Sequence, residues 1–329
     1  MKHINVALFV PHLGCPNNCI FCNQKTISGK CEELKAQEII SSVETAKKTP
    51  HDIHNSEIAF FGGSFTAIER EKMLLYLETA AAFVGDDFGG IRISTRPDAI
   101  DEEILEILKK YSVTSIELGA QSMCDDVLLL NERGHCAEDT RKAASLIKEH
   151  GFSLGLQMMT GLYGSSREKD MYTAGQFVEL KPDTVRIYPT VVLEGTKLAE
   201  YYKNGMYTPE TLEESVEKCS ILLELFHKNS IRVIRLGLHS GGNVEEGFIA
   251  GVYHPAFGEL CEAGIYRNIV LRQLCEMQKG SYTVSVNPRE ISKMTGQKKS
   301  NIEFFREKGY SLKIKGDETL IKYQIKITK

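Results

Sequence analysis

Long hydrophobic runs are missing from this chain: no apolar stretch approaches the ~20 residues that span a bilayer. The first strand-like run begins almost at Met1, too early for a secretory leader. Both absences predict a soluble, cytoplasmic protein with no membrane partner. A regular cysteine framework is missing too. The nine Cys are odd in number and irregularly spread, which argues against a disulfide-stapled secreted fold. No internal repeat or low-complexity tract is present. What remains is an ordinary globular composition, 42% hydrophobic and 26% charged over 329 residues, enough for one large α/β domain with a small appendage.

The formal charge of −4 conceals an asymmetry. Residues 279–329 carry 12 Lys+Arg against 5 Asp+Glu, whereas the rest carries 28 against 39. A basic tail on an acidic body points towards a polyanionic partner, and a solvated surface is the alternative.

Short β-rich runs at 6–10, 58–61, 91–95, 115–119, 153–159 and 184–188 alternate with helical patterns at 33–47, 69–83, 102–110, 140–149 and 167–180. The intervening lengths suit crossover helices, so six βα units and a parallel sheet follow. Asp101 precedes a Glu-rich first turn and Gly151 follows Lys148-Glu149-His150, as a helix start and stop require. Six units are too few for an eight-fold barrel. The expected architecture is a partial (βα)6 barrel over 1–240, with a small α+β extension over 241–329 that turns basic at about 279. Within the tail, 282–286 reads as a strand, 288–295 and 301–308 as helices, and 310–314 with 320–327 as a hairpin about Gly316-Asp317.

The loop after the first strand reads Pro11-His12-Leu13-Gly14-Cys15-Pro16-Asn17-Asn18-Cys19-Ile20-Phe21-Cys22. In α/β barrels that end of the strands is where chemistry is done. Three thiolates, Cys15, Cys19 and Cys22, can ligate three irons of a 4Fe–4S cubane and leave the fourth open; electron-transfer clusters usually take four cysteines. A zinc site would want a fourth ligand, and Cys31 and His12 are near without forming a usual pattern. A thioredoxin-like pair would use Cys19 and Cys22 and leave Cys15 idle. The six other cysteines read as small buried apolar residues or plain thiols.

This triplet, with an aromatic before its last cysteine, resembles the signature of the radical S-adenosylmethionine (SAM) superfamily. The resemblance implies a cluster whose electron breaks SAM into methionine and a 5′-deoxyadenosyl radical, and hence a reducing donor of flavodoxin or ferredoxin type. Gly62-Gly63-Ser64-Phe65 after the second strand is similar to the superfamily's turn for the SAM amino group, where glycine lets backbone approach a ligand.

Further runs resemble one branch, the radical-SAM domain of the Elongator catalytic subunit and its bacterial and archaeal relatives. They are Ser94-Thr95-Arg96-Pro97-Asp98, Glu117-Leu118-Gly119-Ala120-Gln121-Ser122, Asn131-Glu132-Arg133-Gly134-His135, Arg186-Ile187-Tyr188-Pro189-Thr190, Val191-Val192-Leu193-Glu194-Gly195-Thr196, Ile231-Arg232-Val233-Ile234-Arg235 and His254-Pro255-Ala256-Phe257-Gly258-Glu259-Leu260. By this resemblance Glu117 and Gln121 lie near SAM, and Arg96 and Arg186 near SAM or substrate; structural ion pairs at the barrel rim are the competing reading. Met158 and Met159 read as barrel core. His254 and Glu259 are catalytic candidates. In the tail, Gly296, Lys298 and Lys299 fall between two short helices, where loop amides and lysines suit phosphate. RNA-binding modules clamp a backbone comparably, although the G-x-x-G pattern is absent.

The branch modifies wobble uridines of tRNA with acetyl-CoA as carbon source, so tRNA is the implied substrate. The sequence departs from it in lacking a basic N-terminal extension and a C-terminal acetyltransferase domain. Acetyl-CoA is then handled by a separate acyltransferase, or the added group differs. A radical-SAM oxidase or transferase on a small molecule such as a porphyrinogen is the alternative enzyme. A cluster- or zinc-bearing RNA-binding module is the non-enzymatic one.

Overall fold

In the run Asn5–Val10 (β1), Val6, Leu8 and Val10 are buried while the residues between them are not. The period-two pattern fixes which side of the strand meets the helices. The computed structural model describes residues 3–10, 19–23, 33–238 and 242–329. The chain forms two units, Met1–Pro209 with Ile231–Val252, and Glu210–Ser230 with Tyr253–Lys329.

In the first unit β1 is followed by Glu57–Gly62 (β2), Gly90–Thr95 (β3), Val113–Gln121 (β4), Ser153–Thr160 (β5), Thr184–Pro189 (β6), Val191–Leu193 (β7), Arg232–Leu236 (β8) and Phe248–Gly251 (β9). Seven of these make one parallel sheet in the order β1-β2-β3-β4-β5-β6-β8, the half-barrel of an α/β fold. Each of the six expected strands is present. The seventh, β8, lies beyond the six expected strands, and β9 pairs antiparallel with β7. Helices Ala36–Lys47, Arg70–Ala81, Glu102–Lys110, Ala137–Glu149 and Arg167–Leu180 make the crossovers. Their ends follow local chemistry. The Asp101 carboxylate accepts from the Ile104 amide at 2.8 Å, and Gly151 adopts φ = 81° after the helix, a conformation open to glycine at little cost.

In the second unit, helices Leu212–Lys228 and Phe257–Leu274 pack closely. A Cβ on Gly264 would strike the Ser220 hydroxyl, which donates to the Cys261 carbonyl at 2.9 Å. Cys219 and Cys261 are wholly buried, as small apolar residues are. The tail contributes Gly280–Val286 (β10), the short helix Ile291–Thr295, the helix Ser300–Glu307, Tyr310–Gly316 (β11) and Lys326–Thr328 (β12).

The expected tail hairpin is corrected here. β10 lies between β11 and β12, parallel to the first and antiparallel to the second. Val284 sits beside both Ile314 and Ile327. Both late strands turn their apolar side towards the core of Tyr266, Val270, Leu274, Met294 and Phe305.

Candidate functional site

A charge in the middle of an apolar strand must find a partner, because desolvating it alone is costly. Arg92, between Ile91 and Ile93 in β3, is such a residue. Its Nε donates to Glu57 Oε2 at 2.7 Å and its Nη1 to Glu117 Oε1 at 2.9 Å. Arg186 on β6 grips the same carboxylate from the other side, Nε to Oε2 at 2.6 Å and Nη2 to Oε1 at 3.0 Å, and lies over the Phe61 ring at 5.0 Å. Ser115 completes the set, donating to Glu57 at 2.6 Å. The network crosses β2, β3, β4 and β6 on one face of the sheet. Burial opposes the charge of Arg186, but the Glu117 carboxylate outweighs it and raises the guanidinium above its ordinary range. Gly155 on β5 is required beneath this network, since a Cβ there would come within 2.7 Å of Glu117 Cγ.

The resemblance sets Glu117 near SAM and Arg186 near SAM or substrate, with ion pairs at the barrel rim as the competing reading. Both lie within their strands, and together they form the floor of the concave face. Gln121, at the end of β4, is different. It is buried at φ = 67°, a strained conformation for a residue with a side chain, and accepts from Gln157 Nε2 at 3.2 Å. Arg96, past β3, is closed onto Asp98 through two bonds of 2.9 and 2.7 Å. Arg235 on β8 stands opposite Arg186 in the strand register. Among the described residues its hydrogen-bond partner is the Gly237 carbonyl, at 2.9 Å. Burial lowers its proton affinity; Tyr188 raises it and the neighbouring Arg186 lowers it.

Gly62 owes its identity to the sheet: at φ = 110° a Cβ would strike the Val10 carbonyl, which also accepts from the Gly63 amide at 3.1 Å. Ser64 shares a 2.8 Å hydrogen bond with Thr95 and accepts from the Arg96 amide at 3.2 Å. Phe65 is buried against Phe60. The turn is therefore rigid, and what it can offer a ligand is backbone.

Cys15 lies outside the described residues. Cys19 is buried and Cys22 half-buried, in one apolar cluster with Ile20, Phe21, Val127, Leu162, Val192 and Leu198. Two runs with no assigned role in the sequence hold this segment. The Ile20 amide donates to the Asn131 carbonyl at 3.3 Å and the Leu198 amide to the Ile20 carbonyl at 2.8 Å, while Asn23 donates to the Glu194 carbonyl at 2.8 Å. Arg133 donates from Nη1 to Cys19 Sγ at 3.2 Å and from Nη2 to the Gly119 carbonyl at 2.5 Å. A buried guanidinium on a cysteine sulfur fits a thiolate that ligates an anionic cluster, and hydrogen bonds to sulfur tune such clusters.

The comparisons with known proteins decide the family. The model of the Radical SAM superfamily matches residues 9–175, and that of the Radical_SAM C-terminal domain matches 182–267. The chain belongs to the radical SAM superfamily. Radical SAM proteins are enzymes that use a 4Fe–4S cluster and SAM, and this chain is similar to several. A tRNA uridine(34) acetyltransferase of Methanocaldococcus jannaschii is 31% identical over 56% of this chain and 38% of its own length. Elongator complex protein 3 of Saccharomyces cerevisiae is 29% identical over 56% and 37%. The chain thus spans about two fifths of the length of these curated relatives. The structure of archaeal Methanocaldococcus infernus Elp3 with an N-terminal deletion superposes with a TM-score of 0.66 at 25% identity, covering 83% of this chain and 64% of that one. Among the described residues no helix is long and apolar enough to cross a membrane.

The remaining candidates of this radical SAM enzyme lie in the second unit. His254 Nδ1 accepts from the Ala256 amide at 3.1 Å, at the start of the helix that carries Glu259 in its first turn. Lys298 and Lys299 are exposed in the turn between the two short helices, at φ = 52° and 64°. Met158 is wholly buried, while Met159 is partly buried against the cysteine cluster. Sequence reasoning left Arg92, Glu57 and Gly155 without a role and gave Arg133 and Arg235 only as parts of runs. The signal that finds Arg92 is its charge inside an apolar strand. The others become visible only across strands.

His135, two residues beyond Arg133, gives the fold a pH dependence. Burial, with the Arg133 guanidinium second, pushes its pKa from 6.5 down to about 4. The unfolded chain binds this proton between those values and the folded one does not. Stability is therefore expected to fall as pH drops from 6.5 towards 4, by up to ~1.4 kcal/mol per pH unit. His135→Gln should flatten the melting temperature between pH 7 and 5, and parallel profiles for the two proteins would assign the slope elsewhere.

Proposed function

We propose that this radical SAM enzyme modifies the wobble uridine of tRNA. The observation that carries the reading is the extent of the likeness to archaeal Elp3, 83% of this chain at 25% identity. A relative named for uridine-34 of tRNA matches 56% of the chain at 31% identity.

In this reading Cys15, Cys19 and Cys22 hold the cluster, which when bound supplies the electron that breaks SAM. The chain's own residues do the rest. The apolar cluster around Cys19 excludes water from the sulfur, and Arg133 offsets its negative charge. The Gly62–Phe65 turn offers backbone groups to SAM without rearranging, and Gln121 with Gln157 places amide groups at the strand ends. Glu117 fixes Arg92 and Arg186 as a rigid floor, with Arg96 held by Asp98 beside it. Arg235 adds a guanidinium beyond those that Glu57 and Glu117 match, suited to an anionic group of the substrate. A flavodoxin- or ferredoxin-type donor supplies reducing equivalents, and a separate acyltransferase handles any acyl group. Lys298 and Lys299 are assigned to RNA phosphate, and His254 and Glu259 remain the catalytic candidates of the second unit.

The test compares nucleosides of total tRNA from cells with and without the gene by mass spectrometry. Loss of a modified wobble uridine in the deletion strain, restored by the wild-type gene and not by a Cys19→Ala copy, is the expected result. Identical nucleoside profiles would overturn the assignment.

A further inference from the structure

The second unit has a sheet with one face packed and one face open. Tyr282, Val284 and Val286 of β10 turn inward, and β11 and β12 bring Leu312, Ile314 and Ile327 to the same side. The opposite side is built from Ser281, Thr283 and Ser285 of β10, Ser311, Lys313 and Lys315 of β11, and Lys326 and Thr328 of β12. The register aligns them in rows. Lys313, Thr283 and Thr328 cross the sheet together, and Lys315, Ser285 and Lys326 form the next row. The face therefore holds lysines and hydroxyls, with no carboxylate, aromatic ring or aliphatic side chain from these strand positions.

Its groups have no direct hydrogen-bond or ion-pair partner among the described residues, although Lys315 and Lys326 act on the Asp317 carboxylate through space. Lys313, Lys315 and Lys326 are exposed, and among the described residues none has an ion pair, although Lys293 and Lys322 of the same unit are both paired with Glu262. None of the five hydroxyls is engaged in a hydrogen bond among the described residues, whereas the nearby Thr319 hydroxyl is, donating to Asp317 at 2.6 Å. Asp317 follows β11 directly and accepts from that threonine, and Thr319 foremost, with Lys326 and Lys315 after it, holds its carboxyl below the ordinary range.

Lysines on β11 and β12 protect sheet edges from pairing with other chains. That need does not reach β10, which is central and still offers only Ser, Thr and Ser. A face that merely solvates the protein mixes both signs of charge; this one carries a single sign over a flat ground of short side chains. Lys315 and Lys326 stand two strand spacings apart, about 10 Å, and Lys313 and Lys315 about 7 Å along one strand.

We infer that this open face of the β11-β10-β12 sheet binds the phosphodiester backbone of RNA, with Lys313, Lys315 and Lys326 on phosphates and the hydroxyls on phosphate or ribose oxygens. The inference rests on the tRNA reading above and names the surface that holds the substrate. Single-strand readers that stack bases on a sheet need aromatic rings there, and this face has none. Its contacts therefore position RNA without reading sequence. It also lacks the apolar side chains that anchor a protein in a bilayer.

The test measures binding of the full-length, cluster-reconstituted enzyme to an unmodified tRNA transcript between 0.05 and 0.3 M salt, concentrations chosen as roughly the range over which phosphate contacts are lost. The triple variant K313Q/K315Q/K326Q is expected to bind roughly 100-fold more weakly at about 0.1 M salt, with a log–log salt slope shallower by about 2 to 3. The charge-preserving variant K313R/K315R/K326R should bind as the wild type does, which separates loss of charge from misfolding. Formation of 5′-deoxyadenosine without RNA should be unchanged in all three proteins. Equal affinity and slope for the glutamine variant and the wild type would overturn the inference, as would lysine-dependent binding to phosphatidylserine vesicles without lysine-dependent binding to tRNA. This failure is distinct from failure of the tRNA reading, which shows in the cellular nucleoside profile whatever these lysines do.

Discussion

Replacing Cys19 with alanine is expected to reduce bound iron, the visible absorption of the reconstituted protein and 5′-deoxyadenosine formation to background. A cubane held by three thiolates has no spare ligand, and Cys19 is buried in apolar side chains and bonded at 3.2 Å to Arg133. Cys22→Ala should behave the same way. Cys124→Ala is the control, because burial, foremost, pushes that thiol's pKa up and keeps it protonated, unlike the thiolates a cluster requires. Iron content and absorption should stay at wild-type levels in that variant. Arg133→Met adds a graded result. Loss of a charged donor to the sulfur should retain the cluster and move its midpoint potential, read by redox titration with EPR detection, to more negative values. Should Cys19→Ala retain its iron, or lose zinc instead, the cluster assignment would fail.

The second large effect concerns stability. Glu117→Ala should destabilise the first unit by about 3–5 kcal/mol, because the carboxylate that two buried guanidiniums share is gone and their charges stay in the sheet. The side chains of Glu117, Arg92 and Arg186 are 5%, 8% and 15% exposed, so water recovers little of the loss. For a unit of this size each kcal/mol corresponds to about 2–4 °C, which puts the fall in melting temperature at roughly 6–20 °C. Glu117→Ala combined with Arg186→Met should recover part of it, since one uncompensated charge leaves with its partner. Melting curves of the two single variants and the pair decide the matter. A Glu117→Ala protein within 1 kcal/mol of wild type, or strictly additive losses, would mean that the network contributes little to folding.

Patterns along the chain already show the six strands, their crossover helices and the cysteine triplet, because each is set by short-range spacing: period two in a strand, a helix of crossover length, three thiols within eight residues. Contacts between strands were less legible. Glu117 reads in sequence as a rim residue near SAM, yet three hydrogen bonds from Arg92 and Arg186 occupy it. No spacing along the chain reveals that residues 25 and 69 positions away converge on one carboxylate. The tail hairpin failed for a related reason: adjacency in sequence favours pairing of β11 with β12, but both pair with β10, which lies between them.

The sequence by itself determined the family and the α/β architecture, since the runs that carry the likeness and the strand and helix periods are written in consecutive residues. Tertiary structure decided what stands around the cysteines: Arg133 on Cys19, two family runs pinning residues 19–23, and a concave floor of crossed charges. It also decided that Lys313, Lys315 and Lys326 share one face of the tail's sheet with a set of hydroxyls. Both depend on strand order and register, which are fixed by how buried surfaces fit across the sheet rather than by the order of residues along it.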